Sequence, residues 1–254
     1  MYDDKWDFNE EEDNDEIIYK PKLNWMYKLL AIILIISFLA LSFPWLTDLF
    51  DESYSFIQQS QELKSDTIVK NAKPAIVALQ STDSSSSTNS QGTGFIISEE
   101  GVIITNAHVV ENSQSVKITF SDNEVIFSNS IEIIPDNDLA IVYVDRVDLP
   151  YLSLEKDAVV STGDIVTIIG NPLGFNKIAQ RGEVGNFYQL EDNSSPVFDI
   201  DIPINPGNSG SPVLNEAGKV VGIIFATHTI TDNDVTTKSA LAIPTQTILM
   251  TIDT

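Results

Sequence analysis

The chain has 254 residues, 43% of them hydrophobic, a formal net charge of -23 and no cysteine. So acidic a chain argues against a nucleic-acid partner, which needs basic clusters for its phosphates. Without cysteine there is neither a disulfide nor a thiolate metal site; with only two histidines, far apart, no metal or cofactor is expected.

In chain order, residues 1–22 form an acidic tail: nine of the first sixteen are Asp or Glu. Such a run repels itself and buries little, so a disordered cytoplasmic segment is expected, either a solvating tail or a docking segment for a basic partner. Residues 23–47 read as a transmembrane signal anchor. The uncharged stretch Leu29 to Leu46 would span about 27 Å as a helix, near the hydrocarbon thickness of a bilayer. Lys20, Lys22 and Lys28 precede it, and Asp48, Asp51 and Glu52 follow, which sets the N-terminus inside and the remainder outside. Trp25, Tyr27 and Trp45 flank it as interfacial aromatics. A cleaved signal peptide is the alternative, with Ala40-Leu41-Ser42 as a weak cleavage match. Residues 48–64 read as a polar, mostly featureless stalk, with helix beginning near Ser60 and ending before Pro74.

Residues 65–254 form the soluble domain. Short apolar runs at 75–80, 93–98, 102–105, 116–120, 131–134 and after Asp138 are followed by others at 165–169, 177–181, 197–200, 212–214, 220–226 and 239–243. Turn signals separate them, so the domain is all-β, a sandwich or barrel. The Ser-rich stretch between Ser81 and Ser90 reads as a loop. His108 closes the run Val102-Ile103-Ile104, where rigid structure would position it; a hydrogen-bonded core histidine reads equally well. Asp138 sits at the mouth of the buried run Leu139 to Val144, and Asp136 competes with it as a turn residue. Asn205-Pro206-Gly207-Asn208-Ser209-Gly210-Ser211-Pro212 reads as a tight turn. It can expose Ser209 with the N–H groups of Gly207 and Ser209 aligned, or be a loop by turn chemistry alone. His228 opens a polar run and is expected to face solvent.

The order His, Asp, Ser is that of trypsin and chymotrypsin. Thr105-Asn106-Ala107-His108-Val109-Val110, Asp138-Leu139-Ala140, Gly170-Asn171-Pro172-Leu173-Gly174, Gly207-Asn208-Ser209-Gly210 and Leu241-Ala242-Ile243-Pro244 together resemble the HtrA/Deg-type serine proteases, over Ser65 to Thr254. The resemblance implies two six-stranded antiparallel β-barrels with the site between them. It implies His108 as general base, Asp138 as its orienting acid, Ser209 as nucleophile, and an oxyanion hole from Gly207 and Ser209. Pro203, six residues before the nucleophile, would floor the specificity pocket, and Ile223, Ile224 and Phe225 would wall it. That implies cleavage after small or medium aliphatic residues, in unfolded or damaged proteins outside the cytoplasmic membrane. Trimers are common in such domains. Ser211 departs from the family's usual second glycine, and the chain stops at Thr254 with no PDZ domain expected. A catalytically silent, membrane-tethered peptide-binding or sensing module is the competing reading, and an esterase on the same triad a third.

Overall fold

Short apolar runs between Gly, Asn and Asp turns become strands because each buries one or both faces of its pleat. The computed structural model describes residues 25–82, 90–111, 113–174, 177–190, 196–232 and 235–252. The acidic tail and most of the Ser-rich loop fall outside these residues. The chain divides into Met1–Asp51 and Glu52–Thr254.

In the second unit, β1 (Ile76–Thr82), β2 (Gln91–Ile96), β3 (Val102–Thr105), β4 (Ser115–Thr119), β5 (Val125–Ser128), β6 (Ile131–Ile134) and β7 (Leu139–Tyr143) form one antiparallel sheet. Its order is β5-β4-β1-β2-β3-β7-β6. Strand β4 shows the alternation directly, with Val116 and Ile118 buried and its other residues only partly so. The remaining six strands close into a barrel of order β10-β13-β12-β11-β8-β9. They are β8 (Ile165–Gly170), β9 (Ile178–Tyr188), β10 (Val197–Ile200), β11 (Pro212–Leu214), β12 (Val220–Asp232) and β13 (Val235–Pro244). Phe198, Ile168, Ile200, Val213 and Ile224 fill this barrel.

The structure corrects the expectation in three places. The first lobe is a seven-stranded half-barrel, not a closed six-stranded one. Its extra strand, β5, lies at the sheet edge and pairs with β4, with Val125 and Phe127 exposed. The strand expected at 220–226 runs on through the polar stretch after His228: β12 continues to Asp232 and pairs there with β13, Asp232 opposite Val235. The stalk, read as featureless, is helical: α1 runs from Trp25 to Glu62. Its last turns are ordered by β9. The Gln59 side chain donates to Arg181 O (3.0 Å) and accepts from Arg181 N (3.2 Å), and Ser60 Oγ accepts from Ala179 N (3.1 Å). These side chains take up a strand edge where β10 no longer pairs, since the β9–β10 register begins at Val184. The short helix α2 (Thr67–Ala72) follows, capped by Asp66, whose Oδ1 accepts from the N–H groups of Ile68 (2.8 Å) and Val69 (3.3 Å).

In the first unit, the α1 side chains of Leu29, Leu30, Ile32 to Ile36, Phe38 and Leu39 are all exposed, on every face of the helix. Among the described residues no helix is long and apolar enough to cross a membrane. The second part of the expected span, 40–47, has its side chains outside the described ones.

Candidate active site

Register in the first sheet brings the acid to the base. Strands β3 and β7 are neighbours, with Thr105 opposite Ala140. The residues leaving β3 therefore meet those entering β7. Leaving β3, the chain makes one helical turn, α3 (Ala107–Val110), that carries His108. Asp138 occupies the last position before β7 in the left-handed region, φ 48°, a conformation that Asp tolerates better than most side chains.

Four hydrogen bonds clamp the two segments. The Asp138 carbonyl accepts from Ala107 N (3.1 Å) and Asn106 Nδ2 (3.0 Å). One carboxylate oxygen accepts from the His108 backbone N–H at 3.0 Å, and the other lies 2.7 Å from His108 Nδ1. The ring is thus held at Nδ1. The hydrogen bond to Asp138 raises the His108 pKa above the ordinary imidazole value, aided by the charges of Asp138 and Glu111 and opposed by desolvation. Asp136 lies in the 3-10 turn Pro135–Asn137, and none of the described contacts joins it to His108.

Ser209 lies between β10 and β11, in a turn where partnered and unpartnered N–H groups alternate. Asn208 N donates to Asn205 O (3.1 Å), Gly210 N to Ile224 O (2.8 Å) and Ser211 N to Asn208 O (2.9 Å). Among the described residues the N–H groups of Gly207 and Ser209 have no partner. Pro206 followed by Gly207 at φ 100° is the pattern of a type II turn. Gly210, at φ 84°, allows close docking: a Cβ there would collide with the Thr93 carbonyl and lie 2.5 Å from Thr105 Oγ1. Ser211 is buried beside Gly170, which has no Cβ to meet its hydroxyl.

The serine turn and the histidine helix converge on Gly92. A Cβ built there would sit 2.7 Å from the Val109 side chain and 3.1 Å from the Ser209 carbonyl. Gly92, near one end of β2, is thus a shared neighbour of the turn that carries Ser209 and of the helix that carries His108. Among the described contacts, Ser209 Oγ is not hydrogen-bonded to His108.

The expected pocket residues divide. Ile223 and Ile224 are completely buried, in one core each. Pro203 and Phe225 keep some surface, and the Pro203 carbonyl accepts from Gln180 Nε2 at 3.1 Å. Phe225 stands at a register shift between Ile224 and Ala226. Ile224 still bonds the serine turn, its N–H donating to Ser211 O (2.9 Å) and its carbonyl accepting from Gly210 N (2.8 Å); beyond it, among the described residues, β12 pairs with β13. His228, expected in solvent, is half-buried, its ring edge-on to Tyr188 at 5.2 Å, with Nδ1 buried and, among the described residues, unpartnered. Among the described residues no group of three or more His, Cys, Asp or Glu could hold a metal ion. Sequence reasoning missed Thr93 and the role of Asn106. A threonine between two glycines carries no catalytic signature by residue type.

The profile of the family described as "Trypsin-like peptidase domain" matches residues 92–223. The chain is 39% identical over 136 residues to "Probable periplasmic serine endoprotease DegP-like" of Pseudomonas fluorescens, covering 53% of this chain and 29% of that protein. It is 36% identical over 137 residues to a protein of the same description from Chlamydia pneumoniae, covering 52% and 28%. The chain thus spans under a third of the length of these relatives. Among solved structures, it resembles "HtrA-type protease AlgW with tripeptide" at a TM-score of 0.64 and 29% identity, over 73% of this chain and 61% of that one. It also resembles the active form of the Rv3671c protease from M. tuberculosis at a TM-score of 0.63 and 25% identity, over 73% and 82%.

Proposed function

Because this chain belongs to the trypsin-like peptidase family, we propose that it is a serine endopeptidase, with His108, Asp138 and Ser209 as its catalytic residues and an N-terminal membrane anchor. The observation that carries the reading is the alternation in the Ser209 turn. Among the described residues the Gly207 and Ser209 N–H groups have no partner, and their turn shares Gly92 as a neighbour with the helix of a histidine that Asp138 holds at Nδ1.

With its Nδ1 proton held by Asp138, neutral His108 presents an Nε2 lone pair and takes the Ser209 proton as Oγ attacks the peptide carbonyl. The Gly207 and Ser209 N–H groups stabilise the developing oxyanion; losing one such donor costs about 3 kcal/mol. Protonated His108 gives the proton to the leaving amine, and water then hydrolyses the acyl-enzyme by the same route. An extended substrate pairs along the edge of β12 beyond Ile224, as a strand added to the barrel. Pro203 offers no counter-charge to Lys or Arg, so cleavage follows small or medium aliphatic residues. The exposed apolar helix from Leu29, preceded by lysines, supports an anchor with the protease domain outside the cytoplasmic membrane. Unfolded or damaged proteins there are the proposed substrates, and a homotrimer the proposed assembly.

The second reading is the silent peptide-binding module, and the missing Ser209–His108 hydrogen bond is the observation on its side. Such bonds often tighten only with substrate. A fluorophosphonate probe decides between them: the endopeptidase labels and Ser209→Ala does not. Absence of labelling in a folded wild-type chain favours the module. Peptides with Val, Ala or Leu against Lys or Arg before the scissile bond test the specificity.

A further inference from the structure

We infer that Thr93, a residue outside the His-Asp-Ser set, is the positioning residue that holds the oxyanion hole open. The inference rests on the endopeptidase reading above. Thr93 lies in β2 of the first lobe and is completely buried. Its backbone N–H donates to the Ser209 carbonyl at 2.8 Å. Its hydroxyl donates to the Gly207 carbonyl at 2.7 Å. One residue of the first lobe, through its backbone N–H and its hydroxyl, thus grips the serine turn of the second at two carbonyls, those of the residues whose N–H groups are unpartnered among the described residues.

The direction of the hydroxyl proton follows from counting. A threonine hydroxyl has one proton and two lone pairs. Both acceptor positions are taken by Asn171, through its backbone N–H (2.9 Å) and its side-chain Nδ2 (3.3 Å). Only the Gly207 carbonyl remains for the proton. The Asn171 amide is itself oriented, because its Oδ1 accepts from Lys177 N (3.0 Å) and its Nδ2 also donates to Val77 O (3.1 Å). The arrangement therefore has one sense, with no alternative hydroxyl rotamer that satisfies every partner.

The consequence for the site is geometric. The peptide joining Gly207 to Asn208 is bound at both ends, its oxygen by Thr93 and its N–H by Asn205 O. The peptide joining Ser209 to Gly210 is likewise bound at both ends, by Thr93 N and Ile224 O. The Ser209 N–H belongs to the peptide between these two, and the Gly207 N–H to the one before them. With its neighbours fixed, each keeps its N–H turned away from the protein's own acceptors. Without the hydroxyl, the buried Gly207 carbonyl loses its partner, and rotation of the turn to recover one takes the neighbouring N–H with it.

The test uses the full chain in detergent micelles, comparing wild type with Thr93→Val, which keeps the shape and removes the hydroxyl, and Thr93→Ser, which restores it. The second-order rate of fluorophosphonate labelling at Ser209 is expected to fall roughly 10²-fold in Thr93→Val and to return to within a few-fold of wild type in Thr93→Ser. With a chromogenic Val-terminated peptide, kcat falls and KM does not. Labelling of Thr93→Val at the wild-type rate, or an equal loss in Thr93→Ser, overturns the inference. A wild type that never labels removes the endopeptidase reading instead. The positional claim then stands or falls on the 15N-glycine amide resonance of Gly207, identified by its loss in Gly207→Ala. It shifts in Thr93→Val and returns in Thr93→Ser if the hydroxyl sets the turn, and an unmoved resonance refutes the claim.

Discussion

Replacing Asp138 by Asn exchanges one oxygen for an NH₂ group, and the geometry says why it disables the site while sparing the fold. One carboxylate oxygen of Asp138 accepts from the His108 backbone N–H and the other from Nδ1 of the ring. An amide cannot accept at both positions. If its oxygen stays on the backbone N–H, its NH₂ faces Nδ1, which must then be unprotonated. The proton moves to Nε2, where no base is left for Ser209. If the amide flips, the ring keeps the useful tautomer but the NH₂ group meets the backbone N–H, a donor against a donor. An unsatisfied donor costs about 1–3 kcal/mol, and the lost charge-assisted hydrogen bond to the imidazolium a similar amount. At 1.4 kcal/mol per decade, kcat/KM should fall roughly 10²–10⁴-fold. The fold should survive, because Asn accepts the left-handed backbone of position 138 as readily as Asp. The pH profile supplies a second readout. The Asp138 hydrogen bond raises the His108 pKa, so wild-type activity is lost as pH falls through a value above about 6.5. In Asp138→Asn the residual acid limb moves to lower pH. Peptide hydrolysis followed from pH 5 to 9 measures both quantities. A variant within tenfold of wild type, with its acid limb unmoved, refutes the clamp as the source of the base.

Asp66 caps α2 and its Oδ2 lies 2.7 Å from Arg181; the hydrogen bond to Arg181 leads the causes that lower its pKa. A depressed carboxylate stabilises above its unfolded pKa of about 3.9 and loses that contribution as pH falls through the folded value. Asp66→Ala should therefore cost about 1–2 kcal/mol at pH 7 in denaturant titrations, with the gap closing at strongly acidic pH. Burial lowers the Lys177 pKa to about 8, so its charged form is disfavoured in the fold. Stability should rise between pH 8 and about 10.4, and Lys177→Met should raise the Tm at pH 7 with little difference at pH 10. For the anchor, the full chain should resist alkaline carbonate extraction from membranes, whereas Ile33→Lys with Ile36→Lys should release it; equal resistance argues against insertion.

The sequence alone determined what depends on residue type and local spacing. Apolar runs cut by Gly, Asn and Asp marked nearly every strand, because burial on a pleat and the turn between pleats are local properties. The candidates His108, Asp138 and Ser209 were legible because few side chains can do that chemistry, the first two at the edge of apolar runs and the third in a Gly-rich turn. Tertiary structure decided what depends on which strands become neighbours. The β3–β7 register brings Asp138 to His108, and docking of the Ser209 turn on β2 brings Thr93 to Gly207. The helical stalk was hidden because Gln59 and Ser60 are held by β9, far away in the sequence. Long-range pairing is set by the summed packing of the whole domain, and no short stretch of chain carries that information by itself.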